Sequence, residues 1–220
     1  MPASYTAIGS TKAAIITTSL LDIGSNPFTA CMWVRITSSA SSYKGIISSE
    51  GGVGSGGIAL MHRSTGKFSL WNGSFTDGNS FSLDTWYFVA YTLDSIVTGN
   101  LRLYQGTTPN NLTNSATYTP FASLASQKVV FGGYHTGDSN WMDGQIAHCH
   151  LYNTPLSLDQ LREIMIKPGS LTLNGALLGY FPVTGLTPVT NLTGLANATE
   201  NATMTASELG PPVFFPTLCS

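Results

Sequence analysis

The run FTACMWVRIT, residues 28–37, constrains this chain more than any other stretch. Side chains two apart on an extended strand point to the same face, so Phe28, Ala30, Met32, Val34 and Ile36 share one side. Thr29, Cys31, Trp33 and Arg35 share the other. A helix cannot segregate residues with that period. The same pattern returns in DTWYFVAYTLD, where Trp86, Phe88 and Ala90 alternate with Tyr87, Val89 and Tyr91. It returns again in DGQIAHCHLYN, which places Cys149 and Leu151 on one side and His148, His150 and Tyr152 on the other.

Between them lie shorter β-rich runs: KGIISSE, GIALMH, GKFSLWNG, LRLYQG and SQKVVFGGY. GGVGSG reads as the hairpin loop joining the first two, TDGNS as a turn and TTPNNLTNS as a polar loop. Short strands separated by frequent turn signals predict an antiparallel sandwich or barrel. One helix interrupts the pattern. Ser157 with Gln160 three residues on forms a capping box. Leu158, Leu161, Ile164 and Met165 make an apolar stripe, and Pro168-Gly169 ends it. One further strand is expected within LTLNGALLGYFPVTG. Residues 1–185 therefore read as one sandwich domain, and residues 186–220 as a polar tail docking on that sandwich or on a neighbouring subunit.

Composition narrows the function. Only 9% of residues are charged, against roughly 25% in an average soluble domain. The net charge is −2, with no basic cluster, so the chain lacks what a nucleic-acid surface needs. No apolar run is long enough to span a membrane. The N-terminus shows no charged segment followed by an apolar core, so no signal peptide is visible. Cys31, Cys149 and Cys219 are too few for a disulfide framework. Cys31 and Cys149 are expected as buried free thiols, or as a bridge if their strands are neighbours. Sequons at Asn72, Asn111, Asn191, Asn197 and Asn201 are either glycan acceptors on surface loops or chance products of an Asn-, Ser- and Thr-rich chain.

FTACMWVRI, DTWYFVAYTLD followed by LRLYQG, and VVFGGY followed by WMDGQIAHCHLYNTPLSLDQL occur in an order that resembles the concanavalin A-like lectin/glucanase superfamily, especially its laminin-G-like and pentraxin-like branch. The likeness covers roughly residues 5–167. It implies an all-β fold: a two-sheet antiparallel jelly-roll sandwich with one concave sheet and one short helix near residues 157–166. Trp33 and Trp86 become core anchors. The resemblance also implies that calcium is possible on a rim loop, where TGDSNWMDG offers Asp138, Asn140 and Asp143. Relatives often carry an acidic pair just after Gly-x-Ile, and Ala147-His148 stands there in this chain.

Other chemistries fit less well. Glycoside hydrolysis needs two carboxylates flanking one bond, and the chain has no Glu-x-Asp-x-x-Glu run. Gly52, Gly54 and Gly57 match G-x-G-x-x-G, but GIALMH, a strand, follows where a dinucleotide site needs a helix. His148 and His150 share a face and could hold zinc with help from His62 or His135, whereas Cys149 points away from them.

Saccharide sites combine an aromatic platform with hydrogen-bonding side chains, usually on loops. GYHTGDSNWMDG supplies Tyr134, His135, Asp138, Asn140 and Trp141, and SLWNGSF supplies Trp71 and Asn72. Trp71 and Trp141 could equally plug the sandwich or face a neighbouring subunit. The sequence thus points to a non-enzymatic, lectin-like recognition or assembly domain, expected as a homo-oligomer. It would be either a surface carbohydrate-binding or adhesion module with a glycan partner, or a virion component such as a capsid decoration or tail protein packed against its neighbours. The expected location is extracellular or on a virion surface.

Overall fold

A computed structural model describes residues 4–7, 15–17, 27–50, 57–94, 100–118, 128–134, 140–168, 177–181, 198–200 and 205–207; of 4–7, 15–17, 198–200 and 205–207 it describes the backbone alone. The strands in chain order are β1 (Ser4–Ala7), β2 (Ile15–Thr17), β3 (Phe28–Ile36), β4 (Tyr43–Glu50) and β5 (Ala59–Arg63). Then come β6 (Lys67–Trp71), β7 (Phe75–Ser80), β8 (Trp86–Leu93), β9 (Leu101–Gly106) and β10 (Thr113–Tyr118). β11 (Lys128–Phe131), β12 (Gly144–Tyr152), α1 (Leu158–Ile166), β13 (Leu177–Phe181), β14 (Ala198–Glu200) and β15 (Thr205–Ser207) complete the set. They form two antiparallel sheets. One has eight strands, in the order β10-β9-β8-β3-β12-β1-β15 with β13 also on β12; the other has seven, in the order β14-β2-β11-β4-β5-β6-β7. The arrangement is the expected jelly-roll sandwich.

Alternation explains the layers. Phe28, Ala30, Met32, Val34 and Ile36 of β3, with Val89, Tyr91 and Leu93 of β8, enter the core between the sheets. There they meet Leu60, Phe68, Leu70, Val129 and Phe131 of the seven-stranded sheet. Phe28 and Tyr91 meet edge to face, with ring centroids 5.3 Å apart. Cys31, Trp33, Phe88 and Ala90 face the other way, onto Leu161, Ile164 and Met165 of α1. Trp33 is buried as expected, while Trp86 is half-buried at the margin of this second layer. The helix forms as its sequence predicts: Ser157 Oγ accepts from the Gln160 N–H and Gln160 Oε1 accepts from the Ser157 N–H. Thr29 Oγ1 fastens the approach to the helix, accepting from the Leu156 N–H and donating to the Thr154 carbonyl.

Two sequence expectations change, and β12 holds with an addition. Cys149 and Leu151 share one side as expected, and strict alternation would put Ile146 opposite them. Instead Ile146, Cys149 and Leu151 all enter the inter-sheet core. A bulge against β3 between Ala147 and His150 inserts the extra residue, and His148 takes the left-handed φ of +52°. That conformation is uncommon outside glycine and marks a designed kink. TDGNS is not a turn but most of β7, and Thr113–Tyr118 is a strand rather than a loop. Both are sheet margins, where polar side chains suit the solvent and apolar periodicity is not required.

Those two margins are laced together. Gln105, buried on β9, accepts at Oε1 from the Asn79 N–H (3.0 Å) and from Ser115 Oγ (3.0 Å). Its Nε2 donates to the carbonyls of Asn79 (3.3 Å) and Ser80 (3.4 Å). A Cβ on Gly78 would stand 2.7 Å from Leu103 Cδ2 and Ser115 Oγ, so any side chain there requires those side-chain ends to move.

Cys31 and Cys149 are both buried and free. Their strands are neighbours, but Cys31 lies under α1 while Cys149 lies between the sheets, against Met32 Sδ at 3.9 Å. Opposite faces of one sheet cannot be bridged.

Candidate functional site

With Leu60, Phe68 and Leu70 pointing inward, the alternate residues of β5 and β6 point out from the seven-stranded sheet. Ala59, Met61 and Ser69 on this outer face are nevertheless buried. An aromatic layer covers them. Trp71 lies 4.7 Å from Phe75, Phe75 lies 5.7 Å from Tyr43, and Tyr43 lies 6.0 Å from Tyr134, between ring centroids. Strands β4 and β7 are three spacings apart, about 14 Å. Tyr43 and Phe75 therefore lean toward each other across β5 and β6. All four rings are half-buried, so each keeps an exposed side.

One flank of this layer is polar. Arg63 lies with Cζ 4.2 Å from the Phe75 ring centre, a cation–π placement. Its Nη1 donates to Asp77 Oδ1 at 2.9 Å, and Ser69 Oγ donates to the same oxygen at 2.7 Å. Lys67 Nζ is 3.8 Å from Asp77 Oδ2. The Ser69 hydrogen bond is the main reason the Asp77 carboxyl sits below its ordinary range; partial burial opposes it, and Arg63 and then Lys67 reinforce it.

The other flank is the segment that follows β11. Gly132 N–H donates to the Ile46 carbonyl, Ser48 Oγ donates to the carbonyls of Gly133 and Tyr134, and Gly45 N–H donates to the Asn140 carbonyl. The segment thus lies flat on β4. Trp141, 1% exposed, packs on Val130. A Cβ on Gly133 would meet its ring at 2.4 Å.

Of the residues the sequence singles out, Trp71 and Tyr134 are brought into one surface. Trp141 takes the plug role instead. Asn72 is 3% exposed at the β6–β7 turn, so neither a glycan nor a ligand reaches it from solvent. Asn140 is half-buried and serves β4 through its carbonyl. Asp143 accepts from Ser38 Oγ at 2.7 Å. His135 and Asp138 lie outside the described residues, as do Cys219 and the sequons at Asn191, Asn197 and Asn201. Tyr43, Phe75, Arg63, Ser69 and Asp77 are additions. The odd-numbered outward set Lys67, Ser69 and Trp71 in GKFSLWNG is the sequence signal that reaches toward them.

The histidines form a different feature. His148 and His150 flank Tyr180 on β13 in a parallel stack, with His150 4.3 Å from the Tyr180 ring. His148 Nδ1 bonds the Tyr180 hydroxyl at 2.9 Å, and His150 Nε2 donates to the Pro168 carbonyl at 2.6 Å. Burial pushes both down to about 4. His62 is on another sheet, edge to face with Phe81. Among the described residues no three His, Cys, Asp or Glu side chains converge as metal ligands. Among the same residues no helix is long and apolar enough to cross a membrane.

The two-sheet architecture and its capped helix define a lectin-like β-sandwich. Residues 9–162 match the sequence family described as the Concanavalin A-like lectin/glucanases superfamily, of laminin-G type, and the chain belongs to that family. No curated protein matches it in sequence. Among solved structures it is similar to a Bacteroides ovatus protein described as a candidate carbohydrate-binding protein, with a TM-score of 0.72 and 16% identity over 96% of this chain. The chain spans 61% of that protein's length. It is also similar to the native heptameric SAP-like pentraxin of Limulus polyphemus (TM-score 0.61, 13% identity, 93% of this chain and 94% of that one). Domain 4 of the extracellular GH43 arabinanase of Geobacillus stearothermophilus, in complex with arabinotriose, gives a TM-score of 0.52 at 18% identity, over 65% of this chain and 68% of that one. At these identities the likeness is one of fold.

Proposed function

We propose that this chain is a non-catalytic carbohydrate-binding module, with residues 1–185 as the module and 186–220 as a docking tail, acting outside the cell. The observation that carries this reading is the continuous surface of Trp71, Phe75, Tyr43 and Tyr134. Half-exposed rings offer flat apolar area to the C–H face of a pyranose, and the adjoining Arg63 and Lys67 offer hydrogen bonds to its oxygens. Asp77 is the one carboxylate bonded into this surface among the described residues, whereas glycosidic cleavage uses a pair. Fold likeness to a candidate carbohydrate-binding protein is consistent with the reading.

A glycan array followed by calorimetry tests it. A saturable saccharide ligand is expected, and Trp71→Ala should weaken it about tenfold or more, since each factor of ten is about 1.4 kcal/mol. A structural block of a virion would instead bury these rings against a neighbouring copy. A stable oligomer with no affinity for any saccharide would overturn the binding reading in favour of that one.

A further inference from the structure

We infer that the saccharide taken by this surface is anionic, carrying a carboxylate or sulfate beside the ring that stacks on Trp71 and Phe75. The inference rests on the reading of the platform as a saccharide site and goes on to its ligand class. It comes from counting which polar atoms are still open. Asp77 is engaged mainly through Oδ1, which accepts from both Arg63 and Ser69, while Oδ2 lies 3.8 Å from Lys67 Nζ and keeps room to accept. Its single negative charge is outnumbered by the two cations beside it. Arg63, by contrast, donates only through Nη1 among the described residues, which leaves Nε and Nη2 open. Its Cζ lies 4.2 Å from the Phe75 ring centre. The Lys67 side chain is 41% exposed and only loosely paired. The Trp71 indole N–H can donate but not accept.

The platform therefore presents donors and excess positive charge. Two cations meet one carboxylate, in a chain with only nine Lys and Arg residues. A neutral sugar would satisfy these donors with hydroxyl oxygens. A carboxylate or sulfate satisfies them with charge-assisted bonds about twice as strong, and a planar guanidinium edge suits two such oxygens at once.

The test is calorimetry on the full chain with three trisaccharides of the same backbone: neutral galactose, galacturonate and sulfated galactose. At least one anionic form is expected to bind about tenfold or more tightly than the neutral one at 50 mM salt, with the gap narrowing by 500 mM as screening takes hold. The galacturonate and sulfated arms separate the two sources of charge. Arg63→Gln should bring the anionic-to-neutral ratio close to one, and Arg63→Lys should keep only part of it. Lys67→Gln, on a more exposed side chain, should also lower the ratio and guards against misfolding of the Arg63 variants. Equal affinity for neutral and anionic forms, or a ratio unchanged in Arg63→Gln, overturns the inference while leaving the saccharide site standing. Binding of none of the three overturns the inference, and the saccharide site itself falls only if the array also yields no ligand.

Discussion

Substituting Gly45 by alanine should detach one flank of the aromatic platform. A Cβ at this position would lie 2.2 Å from Gly133 C, 2.3 Å from Tyr134 N and 2.4 Å from Gly133 O. All three are backbone atoms, so no side-chain rotation relieves the clash. Ordinary contact needs more than 3.4 Å, and the segment over β4 must lift by about 1 Å or more. Overpacking of this kind costs about 1–3 kcal/mol. The lift also strains the Gly132–Ile46, Gly45–Asn140 and Ser48–Gly133 hydrogen bonds, each worth about 1 kcal/mol. A loss of about 3–5 kcal/mol should lower the melting temperature by about 10 °C for a chain of this size. Thermal unfolding followed by circular dichroism reads that loss. Fluorescence of Trp141, now uncovered, should shift to the red, and saccharide affinity should fall as Tyr134 leaves the platform. A melting temperature within 1 °C of the parent, with unchanged fluorescence, would refute the account of how the segment is seated.

Three further outcomes follow from the same structure. His62, His148 and His150 each sit at about 4 when folded, through burial, and near 6.5 when unfolded. The unfolded chain thus binds more protons between these values, so stability should be full above about pH 6.5 and fall progressively toward pH 4, read as urea midpoints at stepped pH. His62→Leu should flatten part of that slope and raise stability at pH 7 by about 1 kcal/mol, because both ring nitrogens of His62 are buried without a hydrogen-bond partner among the described residues; a loss at pH 7 would count against this reading. Ser157→Ala should cost about 1 kcal/mol through the lost cap, seen as a melting shift of about 2–4 °C.

Much of the fold is legible in single strands because successive side chains of a strand point to opposite faces, so residue parity alone sorts them into two sets. The inward and outward sets of β3 and β8 and the capped helix need no tertiary information. Strands β7 and β10 escape such reading, since a sheet margin selects polar residues that look like turns. The kink at His148 is likewise hidden: an inserted residue changes which side follows without changing residue types. The aromatic platform is only half legible. Trp71 and Tyr134 stand out as aromatics next to polar and glycine residues, but Tyr43 and Phe75 join them only through pairing across four strands. Trp141 carries the same local signals as Trp71, and only the seating of its segment on Gly45 and Gly133 makes it a plug.

The side-chain lacing at Gln105 has a consequence for motion. It ties the two sheets at the β7 and β10 margin, like the spine of a book. The opposite margin, formed by β14 and β15, is closed by strands of three residues each. Thermal opening should begin at that fore-edge and widen toward the spine, because short marginal strands are the least stable units of a sheet. Amide exchange should accordingly advance across the molecule as a front, reaching β8 and β9 last. The aromatic platform on β4 to β7 lies on the spine side, so it should be among the last surfaces to open.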